Sequence, residues 1–348
     1  MTVWLDSPEI TDQDIAAVTK TLRQGQISTA HETTTFFEDA VKEFLGTEDC
    51  VATNSGTSAL HLALLACGAG PGVRVVVPAL SFVATANAVK YTGADIGFMD
   101  VDPDTWTIFG RPCVIEKGDD ILLPVFLYGG KPPLFNIGHA GVSDIPDMLQ
   151  IKIVWDFAEA WGLKPPVGSG DYFCYSMNGN KTITAGAGGV VAGPDMTTTI
   201  RSWVHPRACQ DLAYNYRMPS LNAALAWSQL STVMKQVKRK REIARIYKAL
   251  LPEVKFQKGI EDGCVWMVAG TFPEDVNIDS LQQGLTKYGV PSRRVFQPLN
   301  HYRHLKDGQF YPNAEYIYEH GLCLPSSVKN TDENIEFVCK TIKELCFA

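Results

Sequence analysis

No run of about 18 uncharged apolar residues occurs in this sequence, so no membrane-spanning helix is expected. Residues 1–8 have no basic region and no long apolar core after it, so no secretory signal is expected either. Basic residues are the minority, 31 against 38 acids for a net charge of −7, whereas a nucleic-acid-binding domain is normally basic. CxxC pairs are missing, and the nine cysteines are scattered and odd in number. Neither a disulfide framework nor a zinc ribbon is expected, and a reducing cytoplasm is the natural setting. His301 and His304 are spaced i, i+3 without a carboxylate pattern beside them, so no metal site is assigned.

What is present is a chain of 348 residues, 45% apolar, long enough for two domains with substantial cores. Thr11 caps an expected helix over 8–25, and Gly46 stops a second over 36–45. Apolar runs at 50–53, 74–78, 96–101, 121–126, 151–156 and 171–175 read as strands, with helices expected at 56–66 and 83–91 between them. That alternation predicts an α/β domain with a mostly parallel sheet and its ligands at the strand C-terminal ends. The glycine-rich 68–72 stretch follows a helix rather than a strand, which makes it a helix stop and not a dinucleotide loop. The basic run 235–242 has helical spacing and is read as a solvated helix face. Residues 131–150 have no clear pattern.

Lys181 stands between a polar turn, 176–180, and a glycine-rich run, 186–189. Most lysines are solvated surface charges. One held in a tight, partly desolvated turn can lose its proton and condense with a carbonyl. Twenty-five residues upstream (181 − 156), the apolar run 151–156 ends in Asp156, a carboxylate placed at a strand's C-terminal edge. Pyridoxal phosphate needs a lysine for its aldehyde and a carboxylate that keeps its pyridine nitrogen protonated. Its phosphate suits a helix start, where backbone N–H groups and the helix dipole favour an anion. Gly56-Thr57-Ser58 opens such a helix, and an ordinary Ser/Thr cap is the competing reading.

These stretches together resemble the DegT/DnrJ/StrS family of pyridoxal-phosphate-dependent nucleotide-sugar aminotransferases, within the fold type I group. The resemblance rests on NSGTSALHLAL at 54–64, VPALSFVATANA at 77–88, DVDPDT at 100–105 and DFAEAWG at 156–162. The 176–189 run and YNYRMPSLNAA at 214–224 continue it in family order. It implies a large cofactor-binding domain over residues 1–235 and a small C-terminal α/β domain over 236–348. It also implies phosphate binding through Gly56, Thr57 and Ser58, and through the Ser176 hydroxyl. Phe82 is expected to stack on the pyridine face, and Glu159 to touch the ring's hydroxyl side or the substrate. Asn215 and Arg217 both qualify to reach the phosphate of a neighbouring subunit, so a homodimer with shared sites is implied. Arg294 and His301 are the implied sugar-pocket contacts.

The sequence departs from the family at Ala30-His31, at Trp155 and Phe157 flanking the aspartate, and in the shortened 106–121 segment. The implied reaction is a ping-pong transfer from an amino acid, L-glutamate, to a nucleotide keto-sugar. A 4-keto-6-deoxy sugar of the perosamine or legionaminic type is implied, for surface glycan or deoxysugar synthesis. Competing readings are a sugar dehydratase of the same fold, which carries histidine in place of the lysine, and a non-catalytic cofactor-binding regulatory protein.

Overall fold

The computed structural model describes residues 2–29, 31–108, 120–132, 152–165, 171–194, 196, 199–204, 212–261 and 263–347. Ala30, most of the shortened 106–121 segment and nearly all of 131–150 lie outside the described residues. Helices α1 (Asp12–Arg23) and α2 (Glu32–Leu45) come first, then β1 (Asp49–Thr53), α3 (Gly56–Ala66), β2 (Arg74–Pro78), α4 (Val83–Thr92) and β3 (Asp95–Met99). Strands β4 (Ile121–Leu122), β5 (Lys152–Asp156), β6 (Tyr172–Ser176) and β7 (Gly189–Gly193) follow. Helices α5 (Ile200–Val204), α6 (Ser220–Leu230) and α7 (Val233–Leu250) lead to β8 (Lys255–Phe256) and β9 (Val268–Thr271). The chain closes with α8 (Ile278–Lys287), β10 (Arg293–Arg294), α9 (Pro312–His320), β11 (Gly321–Leu324) and α10 (Asp332–Cys346).

The larger sheet has the order β1-β7-β6-β5-β4-β2-β3. Pairs β6-β5, β5-β4, β4-β2 and β2-β3 are parallel, and β7 runs antiparallel to both β6 and β1. Strands covered on both faces are apolar throughout, as at Val75–Val77 and Val190–Ala192, all fully buried. Parallel strands finish at one edge, and that edge collects Pro78, Asp156 and Ser176. The smaller sheet, β10-β11-β9-β8, is antiparallel throughout.

Local chemistry fixes the boundaries. Thr11 and Asp14 form a reciprocal capping box on α1, with Asp14 N–H donating to Thr11 Oγ1 at 3.3 Å and Thr11 N–H to Asp14 Oδ2 at 2.8 Å. Helix α2 begins before the expected residue 36 because one of its inward positions is polar: Thr33 is buried and donates to Gln26 Oε1 at 2.6 Å. β4 ends well short of residue 126. Pro124 has no N–H for a ladder, and the chain then enters a 3-10 turn, Leu127–Gly129, with Tyr128 at φ 55°. The apolar run 264–269 enters β9 only at Val268, because the N–H groups of Cys264 and Trp266 donate to Gly129 and Tyr128 carbonyls instead. Gly129 is required at that crossing, since a Cβ there would stand 1.8 Å from the Cys264 carbonyl oxygen.

Helix α7 runs straight through 235/236, the expected domain boundary. Val237 packs with Trp161 and Cys264 beside the larger sheet, and Ile243 and Tyr247 pack in the core of the smaller one. One cation of the basic run is not on a solvated face. Lys240 is 5% exposed and donates to the carbonyls of Trp266 and Ser326 at 2.8 and 2.9 Å. Burial lowers it to about 8.

Candidate active site

A cavity of about 390 Å³ opens at the C-terminal edge of the large sheet. Its wall includes Gly56, Thr57, Phe82, Asp156, Glu159, Ser176 and Lys181, drawn from segments up to 125 residues apart (181 − 56). The larger sheet brings them together: β5 delivers Asp156, β6 delivers Ser176, and Lys181 sits in the turn between β6 and β7.

Lys181 Nζ donates to Glu159 Oε1 at 2.9 Å and lies 3.6 Å from the centroid of the Trp266 ring. The other Glu159 oxygen accepts the Tyr128 N–H at 2.6 Å, which explains the left-handed backbone at Tyr128: it aims an N–H at a buried carboxylate. Asp156 is 4% exposed and accepts from the Thr85 hydroxyl at 2.8 Å and the Ala158 N–H at 3.0 Å. Burial pushes its carboxyl up to about 6, against those two hydrogen bonds. A positive group arriving in the cavity reverses that balance and favours the ionised form.

At the other end, α3 points its first turn into the cavity. Ser55 caps it, accepting the Ser58 N–H at 3.1 Å. Gly56 passes so close to β6 that a Cβ there would stand 2.8 Å from the Ser176 Cβ. Gly189 packs as tightly against the other side of the turn, with a Cβ 2.4 Å from the Ser55 carbonyl oxygen. The glycines therefore let the helix start approach β6 and β7 closely, beside the Ser176 hydroxyl.

Other expected residues lie elsewhere in the single chain. Ser58 turns away from the cavity and donates to Asn54 Oδ1 at 2.7 Å, leaving Ser55 and Thr57 as the hydroxyls at the α3 start that line it. Asn215 and Arg217 run beside the Thr53–Ser55 turn, where Asn54 N–H donates to the Tyr216 carbonyl at 2.7 Å. The Arg217 Nε is buried there with no hydrogen-bond partner among the described residues. Arg294 donates to the carbonyls of Tyr318 and Glu319, and His301 Nε2 is 2.7 Å from Glu315 Oε1, so neither lines the cavity. Arg293 does, with its guanidinium 5.2 Å from the Trp266 ring and 5.4 Å from the Phe296 ring. Sequence reasoning missed Arg293, Trp266 and Thr85. The sole signal for Arg293 was strand alternation, which sends adjacent side chains to opposite faces.

A sequence profile of the DegT/DnrJ/EryC1/StrS aminotransferase family matches residues 8–343. The chain belongs to that family. GDP-perosamine synthase of Escherichia coli O157:H7 is 32% identical, over 97% of this chain and 96% of that protein. GDP-perosamine synthase of Vibrio cholerae is 30% identical, over 88% and 89%. The crystal structure of sugar aminotransferase CalS13 from Micromonospora echinospora has the same fold, with a TM-score of 0.87 at 22% identity over 99% of this chain and 100% of that one. The protein is a sugar aminotransferase of fold type I, and its cofactor is pyridoxal phosphate.

The residues present fit that cofactor. The cavity offers an amine on Lys181, a buried carboxyl on Asp156 whose ionised form a positive partner would stabilise, a helix start with hydroxyls on Ser55 and Thr57, and the Ser176 hydroxyl at the end of β6. Among the described residues no helix is long and apolar enough to cross a membrane, and no three His, Cys, Asp or Glu side chains cluster as metal ligands.

Proposed function

We propose that this protein moves the amino group of L-glutamate onto the C4 ketone of a nucleotide-linked 4-keto-6-deoxyhexose, working as a homodimer with shared sites. The observation that carries the catalytic part is Lys181 and Asp156 on one cavity wall, with the lysine amine held 2.9 Å from Glu159. The sugar assignment is supported by the relatives named GDP-perosamine synthase, which make a GDP-linked keto-sugar the first substrate to test.

Bound in the cavity, pyridoxal phosphate supplies an aldehyde to condense with amines and a ring that accepts the electrons of a carbanion. In this reading Lys181 Nζ holds the cofactor, and once released it moves a proton between carbon centres, first as base and then as acid. Asp156 holds the proton on the pyridine nitrogen, with Thr85 and the Ala158 N–H fixing its two oxygens. Glu159 orients Lys181 Nζ through one oxygen while the Tyr128 N–H anchors the other. The α3 start and Ser176 bind the phosphate, and Phe82 covers one face of the ring. Asn215 or Arg217 reaches the partner subunit's phosphate end, a reading supported by the Arg217 Nε that has no partner among the described residues.

The test is direct. The yellow protein should bleach with L-glutamate, and the bleached form should convert GDP-4-keto-6-deoxymannose to an amino sugar nucleotide, read by mass spectrometry, while its colour returns. Bleaching with no product from a panel of nucleotide keto-sugars would rule out the sugar assignment and leave the aminotransferase.

A further inference from the structure

We propose that Trp266 is a positioning residue. Its ring face and the Glu159 carboxylate form a seat that holds the Lys181 ammonium at the cavity wall whenever the amine is not bonded to the cofactor. The seat is assembled from three distant parts of the chain: Glu159 after β5, Lys181 between β6 and β7, and Trp266 just before β9. Lys181 Nζ is 3.6 Å from the ring centroid and 2.9 Å from Glu159 Oε1, well inside the roughly 6 Å reach of a cation over an aromatic face.

The ring has little freedom to leave. Trp266 is 2% exposed, its indole N–H donates to the Asn180 carbonyl at 2.7 Å, and its backbone N–H donates to Tyr128 at 2.9 Å. Its carbonyl accepts from Lys240 Nζ at 2.8 Å, and Tyr128 stacks on it at 6.1 Å with 17° between the planes. The hydrogen bond to Asn180 fixes the lysine turn and explains an N–H at this position. It does not explain why a face of the ring points at the ammonium, and an aliphatic side chain would fill the same space without attracting the charge. The side chains of Lys181 and Glu159 are 11% and 4% exposed, so water competes weakly for the ammonium. Both partners act on Nζ only while it is charged and free, which in the reaction above is when the cofactor carries the amino group.

Two kinds of variant separate the ring face from the N–H. Site-directed mono-, di- and trifluorotryptophan at 266 keep the shape and the N–H while draining the face, and Trp266→Phe keeps a face but loses the N–H. The probe is N-succinimidyl acetate on the cofactor-free protein, with acetylation of Lys181 timed by peptide mass spectrometry against exposed Lys235. The expected result is a Lys181 rate that climbs stepwise with fluorination, by about two- to thirtyfold for full loss of the face. Trp266→Leu should label faster than Trp266→Phe. Rates flat across the fluorine series, or Phe equal to Leu, would overturn the seat. The inference deepens the proposed function but is read without turnover. A flat series in an active enzyme refutes the seat alone, and a graded series in an enzyme that never bleaches with L-glutamate refutes the function alone.

Discussion

Replacing Asp156 by asparagine should change how the cofactor-free protein responds to pH. In the unfolded chain this carboxyl titrates near 3.8, and in the fold burial moves it to about 6. Below the lower value both states hold the proton. Between the two values only the folded protein holds it, so unfolding releases a proton and stability falls as pH rises. Above about 6 the loss is complete. At about 1.4 kcal/mol for each pH unit, the interval from 3.8 to about 6 corresponds to about 3 kcal/mol. Asparagine does not titrate and is free of that loss, whatever constant cost it brings. Urea unfolding of both cofactor-free proteins at about pH 4 and about pH 8 measures most of that difference, which should shift by about 2 kcal/mol in the variant's favour at the higher pH, because part of the unfolded carboxyl is already ionised at the lower one. Pyridoxal phosphate should cancel much of that advantage, because its ring nitrogen gives the wild-type carboxylate a positive partner. A stability difference that does not move with pH would refute the burial-raised titration of Asp156 in the cofactor-free protein.

Two further substitutions probe the phosphate and lysine ends of the cavity. Gly56→Ala places a Cβ 2.8 Å from the Ser176 Cβ, so the helix start must shift, and pyridoxal phosphate affinity measured by absorbance titration should fall by about five- to a hundredfold; unchanged affinity would remove this approach from the phosphate site. Glu159→Gln keeps an acceptor for the Tyr128 N–H but removes the charge facing Lys181, so kcat should drop by at least about tenfold with the KM for L-glutamate little changed. A change confined to KM would make Glu159 a substrate contact instead.

Much of the fold and the bare ends of the site were legible because they are short-range. An apolar run ending in Asp156, a glycine-rich run after Lys181 and a glycine at a helix start are local patterns, and each landed on the cavity wall. The departures came from contacts between distant segments. Lys240 sits in a run of charges that reads as solvated, and only the fold shows two buried carbonyls, from Trp266 and Ser326, waiting for its ammonium. Trp266 reads as one more apolar residue in an apolar run, yet its ring stands over a lysine 85 positions away (266 − 181). Arg293 and Arg294 are chemically identical in sequence, and which of them faces the cavity is decided by the register of β10 against β11. Ser55 and Ser58 differ in the same way by their place on the first turn of α3.

The central claim is that Lys181 carries the cofactor, and one measurement addresses it. Protein loaded with pyridoxal phosphate is reduced with borohydride, digested, and the peptides mapped for a pyridoxyl group. The label is expected on Lys181, and Lys181→Ala should fold and yield none. A label on any other lysine, or one that persists in the alanine variant, contradicts the account.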